Sequence, residues 1–158
     1  MVYGFSVDFG LVLGPKFSFA TGWTIQRSEL DEPEPEFKSQ EFFRTPNLYG
    51  YSSMSYKNNK LINADFSLEF TGPMKVPHYA GHIEEDRLET THSFLVLNVK
   101  LHRPINITKD YRTSLFVGGY NLLDSYQKDL DKGVDRDSGY VYGPAKPRSF
   151  YAGFEFSF

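Results

Sequence analysis

Cysteine is absent from this chain, which excludes disulfides and thiol chemistry and fits passage through an oxidising compartment without demanding it. Long hydrophobic runs are absent too. No window approaches the roughly 18 uncharged apolar residues that a membrane-spanning helix needs. The first residues, Met1 to Asp8, hold no basic segment followed by an apolar stretch, so no secretory signal is read there. A basic excess is also missing. Formal net charge is −3, and without a basic stripe there is no electrostatic footprint for nucleic acid. No G-x-S-x-G, phosphate-binding loop or dinucleotide fingerprint occurs in the sequence. Nothing here reads as an enzyme.

Aromatic residues are abundant: 15 Phe, 11 Tyr and one Trp make 17% of the 158 residues. They recur at every second position. Residues 3–13 place Phe5, Val7, Phe9, Leu11 and Leu13 opposite Gly4, Ser6, Asp8 and Gly10, the alternation of an extended strand. Gly14-Pro15 is a turn signal. Residues 16–26 alternate again, with Phe17, Phe19, Thr21, Trp23 and Ile25 on one side, which makes a hairpin. Further strands are expected over 45–56, 61–70, 93–103, 111–121 and 148–158. Registers are clear in 61–70 (Ile62, Ala64, Phe66, Leu68, Phe70) and 93–103 (Leu95, Leu97, Val99, Leu101). They are ambiguous in 45–56 and 111–121. In the well-registered strands the apolar face reads as free of charge, and Asp8, Lys16, Asp65, Glu69, Lys100 and Glu155 fall on the other face.

Between the strands, short turns (Gly14-Pro15, 57–60, 104–110) alternate with long polar connections (27–44, about 71–91, 122–147). No helix is expected. The fold class is therefore all-β: an antiparallel meander of seven strands, with short turns at one end and long loops at the other. Outer-membrane barrels have this asymmetry, with short periplasmic turns and long extracellular loops. Mean hydropathy of −0.44 does not oppose a barrel, because alternating strands average out. A soluble β-sandwich has the same period with its apolar face turned inward.

Few residues invite a chemical reading. His78 and His82, followed by Glu84, Glu85 and Asp86, have zinc-like spacing. Pro77 and Gly81 argue against the helix that spacing requires, so a solvated loop is expected. Asp129, Asp131, Asp135 and Asp137 bracket Gly133 and could wrap calcium, but Gly133 and Tyr140 occupy positions where a calcium loop needs ligands. A loop bridged internally by Lys128, Lys132 and Arg136 is expected instead. Glu32, Glu34 and Glu36 are splayed into water by the intervening prolines. Asn106-Ile107-Thr108 matches a glycosylation sequon, a common chance match. No catalytic, cofactor-binding or metal-binding residue is assigned, and no cofactor is expected.

Three stretches carry a more specific signal. They are Gly119 to Asp129, Arg136 to Pro144, and Pro147-Arg148 leading into the closing run R-S-F-Y-A-G-F-E-F-S-F. Together they resemble the C-terminal barrel of TonB-dependent outer-membrane receptors, and Thr71 to His78 resembles the start of a loop in that family. The resemblance implies that residues 1–158 are the C-terminal portion of such a barrel. Plug domain, TonB box and earlier strands of a barrel of about 22 strands have no counterpart here. It implies a place in the cell outer membrane, in contact with its lipid, the rest of the barrel and the plug. The TonB complex would act through the missing N-terminal part, and the outer-membrane assembly machinery would read the terminal aromatic strand. The implied function is active uptake of a scarce nutrient, such as an iron chelate or cobalamin. The other reading is a soluble or surface-attached sandwich that binds carbohydrate through Tyr49, Tyr51 and Trp23, with its Phe faces as the core between two sheets.

Overall fold

The computed structural model describes residues 1–58, 60–106 and 112–157. Asn59 of the second turn, most of the third, Ile107 and Thr108 of the sequon, Tyr111 and Phe158 lie outside the described residues.

Seven strands form one antiparallel sheet in meander order. They are β1 (Val2–Leu13), β2 (Phe17–Ser28), β3 (Leu48–Tyr56), β4 (Asn63–Thr71), β7 (Phe94–Asn106), β8 (Arg112–Tyr120) and β9 (Ser149–Ser157). The second long connection contains a separate hairpin, β5 (Lys75–His78) paired with β6 (Arg87–Thr90). That hairpin was not expected, because Pro77 and the acidic run 84–86 hide two short strands. No helix occurs among the described residues, and the sheet is not closed: β1 pairs only with β2, and β9 only with β8.

Strand boundaries follow local chemistry. Sequence alternation suggested that β3 begins at residue 45, but it begins at Leu48. Pro46 has no N–H to give to a ladder, and the Thr45 hydroxyl donates back to the Phe43 carbonyl at 3.1 Å. β4 begins at Asn63 rather than residue 61, and the Asn63 side chain accepts the Asn58 N–H at 2.6 Å to close the turn. Lys16 lies in the first turn rather than on a strand face.

Register carries the alternation across the whole sheet. Phe5 pairs with Ile25, Ile25 with Leu48, Phe66 with Met54 and Val99, and Leu115 with Phe154. The ambiguous strands are settled by their neighbours. Leu48, Gly50 and Met54 of β3 and Leu115, Val117 and Gly119 of β8 join the apolar face. Tyr49, Tyr51, Phe116 and Tyr120 join the polar one. Two charges do fall on the apolar side, both near strand ends. Arg27 pairs with Tyr3, and Arg103 with Leu115.

The apolar face is left open among the described residues. Phe150 is 76% exposed and Phe154 65%. The total accessible surface is 10873 Å², against roughly 8100 Å² for a compact monomer of this mass. No second sheet packs over the apolar face among the described residues, so the core required by the sandwich reading is not formed. Three of the four buried hydrophobic residues, Val76, Phe94 and Tyr140, lie instead at the long-connection end.

On the apolar face Trp23 reaches across Gly50 to Phe70, with ring centroids 5.8 Å apart. A Cβ at Gly50 would sit 2.6 Å from Trp23 Cδ2, so the missing side chain is what admits the indole. Gly50→Val should displace Trp23 and cost about 1–3 kcal/mol, as overpacking does. The single tryptophan reports it: a shifted emission maximum is expected, and an unchanged spectrum would count against the contact.

Candidate functional site

All three long connections leave the same end of the sheet, and there they interlock. In the first, Phe37 packs edge-on against Phe43 at 5.8 Å and, tilted, against Tyr79 of the second at 5.9 Å. Arg44 gives its backbone N–H to the Lys75 carbonyl at 2.7 Å. Its guanidinium donates to the Val141 carbonyl at 2.8 Å and to the Gly139 carbonyl, both in the third connection.

The centre of this assembly is His78 on β5. Its ring stacks on Tyr140 at 3.7 Å and 10°, and Nε2 donates to Asp131 Oδ2 at 2.8 Å. Asp131 also accepts the Asp137 N–H at 3.1 Å, and His82 Nε2 lies 3.6 Å from its other oxygen. Next to it, the Tyr140 and Tyr142 hydroxyls both donate to Asp129, at 3.1 and 2.7 Å. Gln127 is almost fully buried. It donates to the Tyr140 carbonyl at 3.0 Å and accepts the Tyr142 N–H at 2.9 Å. Phe94 closes the floor, 5.9 Å from the Tyr142 ring.

The electrostatics follow these contacts. Burial pushes the Asp131 carboxyl up. Donation from His78 and the Asp137 N–H, with the positive potential of the two imidazoles, outweighs burial and leaves it below its ordinary value. Asp129 behaves alike: burial raises it, and donation led by the Tyr142 hydroxyl brings it below its ordinary value. The two phenols move the other way. Burial, then the negative charge of Asp129, pushes Tyr140 up to about 12, and Tyr142 is raised further. At neutral pH both hydroxyls stay protonated and remain donors.

The two acidic clusters singled out in the sequence therefore meet, though 53 positions separate His78 from Asp131. His78 is not solvated, as expected of that loop, but buried and stacked. The expected counter-charges are not used. Lys128 lies over the Tyr126 ring at 5.4 Å and Arg136 donates to the Gly133 carbonyl, while the carboxylates take imidazole, phenol and backbone donors. Asp137 accepts the Tyr79 and Gly139 N–H groups. Glu34 is not splayed into water either. It accepts the N–H groups of Glu36 and Phe37, at 2.9 and 2.7 Å, and these bonds lower its pKa. Among the described residues no three His, Asp or Glu side chains converge as metal ligands. Sequence reasoning missed Gln127, Tyr140 and Tyr142, whose roles depend on contacts no local pattern signals.

Below the cluster, the polar face bears an open cleft of 680 Å³ lined by Asp8, Thr24, Arg44, Tyr49, Tyr51 and Glu69, among others. Tyr49 and Tyr51 belong to this face, whereas the Trp23 ring packs on Phe70 on the other. The three aromatics do not form one platform. Asp129 and Asp131, the carboxylates at the centre of the cluster, both accept from imidazole, phenol or backbone donors.

The fold is that of an antiparallel sheet found in an import receptor. No family model matches the chain, and no curated protein does. Among solved structures, the ferric-catecholate import receptor Fiu from K12 E. coli, in its closed form, superposes with a TM-score of 0.67 at 21% identity. The match covers 98% of this chain and 20% of that one, so the chain spans about a fifth of the receptor's length.

The lowered Asp131 pKa fixes the direction of a pH effect. An unfolded Asp titrates near ~3.9, so Asp131's contribution is fully present above that value and is lost as pH falls through the lower folded value. Protection of the Tyr140 and Val141 amides, as exchange relative to the intrinsic rate at each pH, should fall as pH drops through that window. Asp131→Asn should exchange faster already at neutral pH and lose the acid limb. Identical profiles for both proteins would rule out the role given to Asp131.

Proposed function

We propose that residues 1–158 are the C-terminal portion of the β-barrel of a TonB-dependent outer-membrane receptor, working in active uptake of a scarce nutrient. In this reading the apolar face meets membrane lipid, and the polar face meets the lumen and plug. The short turns are periplasmic and the interlocked loops face outward. One observation carries the reading. Seven strands in register expose an apolar face to nothing, while every long connection leaves one end. The distant likeness to a ferric-catecholate import receptor supports the fold and extends the reading to nutrient import. An iron chelate or cobalamin is the class of cargo proposed. The remaining barrel and plug complete the site, the TonB complex acts through them, and the outer-membrane assembly machinery reads the final strand.

Cysteines placed at Phe66 and Phe154 in the full-length protein should resist aqueous thiol reagents, while those at Asp65 and Glu155 should react once the plug is removed. Free reaction at 66 and 154 would sink the reading. Phe66→Arg should cost roughly 2–4 kcal/mol if it lies mid-membrane.

Deleting Phe158 should lower the amount of protein reaching the outer membrane while leaving its heat-modifiable migration unchanged. A single aromatic side chain contributes at most about 1.5–3 kcal/mol by burial, which is small for a closed barrel. Equal surface levels in parent and deletion would remove the assembly signal from that residue.

A further inference from the structure

The short-turn end of the sheet differs in charge from the rest. Lys16 lies in the first turn, Lys57 and Lys60 in the second, and Arg103 near the end of β7, all exposed. No Asp or Glu occurs among the described residues of those turns. Among the described residues the carboxylates closest to this end by register, Asp65 and Glu155, belong to the polar face, and Asp65 accepts the Ser55 hydroxyl. None of the four cations is ion-paired among the described residues. At the other end the three long connections carry more Asp and Glu than Lys and Arg.

Arg103 is the decisive residue. Its neighbours in the alternation, Leu101 and Ile105, and its cross-strand partner Leu115 all lie on the apolar face. The other charge on that face, Arg27, is held by Glu29 at 2.6 Å; Arg103 has no such partner among the described residues. Near the same rim, Tyr56 ends the apolar face of β3, and Leu61 and Ile62 stand exposed between Lys60 and β4. Apolar knobs, a tyrosine and unpaired cations in one band match the boundary between hydrocarbon and headgroups.

We propose that Lys16, Lys57, Lys60 and Arg103 form a rim that binds the phosphates of anionic phospholipids in the leaflet on the short-turn side. A soluble anionic partner could reach the turns, but lipid is the partner that touches both the apolar face and a cation just beyond its end. The inference rests on the membrane-barrel reading and adds to it a headgroup preference located at one rim.

The test uses the full-length protein inserted into phosphatidylcholine vesicles, with insertion read by heat-modifiable migration. Spin-labelled phosphatidylglycerol and phosphatidylcholine are then compared for the fraction immobilised on the protein. The wild type should favour the phosphatidylglycerol label severalfold, and high salt should erase the preference. Lys16→Gln, Lys57→Gln, Lys60→Gln and Arg103→Gln combined should remove most of it. Arg103→Gln alone, which leaves the turns untouched, should remove part. Equal immobilisation of the two labels by inserted wild-type protein overturns the inference and leaves the barrel reading standing. A preference that the quadruple variant keeps in full also overturns it. Protein that fails to insert into phosphatidylcholine overturns the barrel reading, and this inference with it.

Discussion

Antiparallel register decides where each strand side chain goes. With a side-chain period of two, slipping any strand by one residue would carry its apolar set to the polar face and its charges to the apolar one. Here the ladder aligns Phe5, Ile25 and Leu48 on one side of three consecutive strands, and Asp8, Gly22, Tyr51 and Glu69 on the other side of four. Such alignment is imposed collectively. β3, rich in Ser and Tyr, has little preference of its own and is held between β2 and β4, which have strong ones. Gly50 also acts in this frame: its bare backbone lets the indole of one strand reach the phenyl ring two strands away.

The same register separates two kinds of stability in the molecule. The sheet has good ladders but little buried side-chain area, and an apolar face left in water loses the main favourable term of folding. The long-connection end is the reverse. Several of its polar groups are buried; Arg44 and His78 tie the first and second connections to the third, and Gln127 braces the third internally. A buried polar network of this kind is rigid only while every member has a partner. Here it links the three connections to one another.

Legibility in the sequence divided along that line. Strands were visible because alternation is local, and loop asymmetry because Pro, Gly and carboxylate runs are local. Boundaries failed by a few residues where one group intervened, such as Pro46 ahead of β3 or Asn63 at the head of β4. Site chemistry was less visible. His78 looked solvated because its sequence neighbours are polar, whereas its burial depends on Tyr140 and Asp131, which are remote in the chain. Carboxylates 129 to 137 invited lysine partners nearby in sequence, and the fold supplied phenols and imidazoles instead. Glu34 shows the same failure at short range, where a backbone turn captured a side chain that composition assigned to water.

Faces and edges of the sheet have a common requirement. β1 and β9 each have one edge with no ladder partner among the described residues, and exposed edges with long apolar faces associate readily in water. Covering the apolar face with a second sheet would leave both edges open. Pairing the edges with further strands in a flat sheet would leave the face bare. In the barrel proposed above, closure within lipid would satisfy both at once, because the ladder would become continuous and hydrocarbon would replace water against Phe66, Phe150 and Phe154. The two arginines on the apolar face fit that arrangement because each stands near a strand end, where a long side chain can reach a headgroup. A charge at mid-strand on that face would have argued against lipid, and the ladder has none there among the described residues.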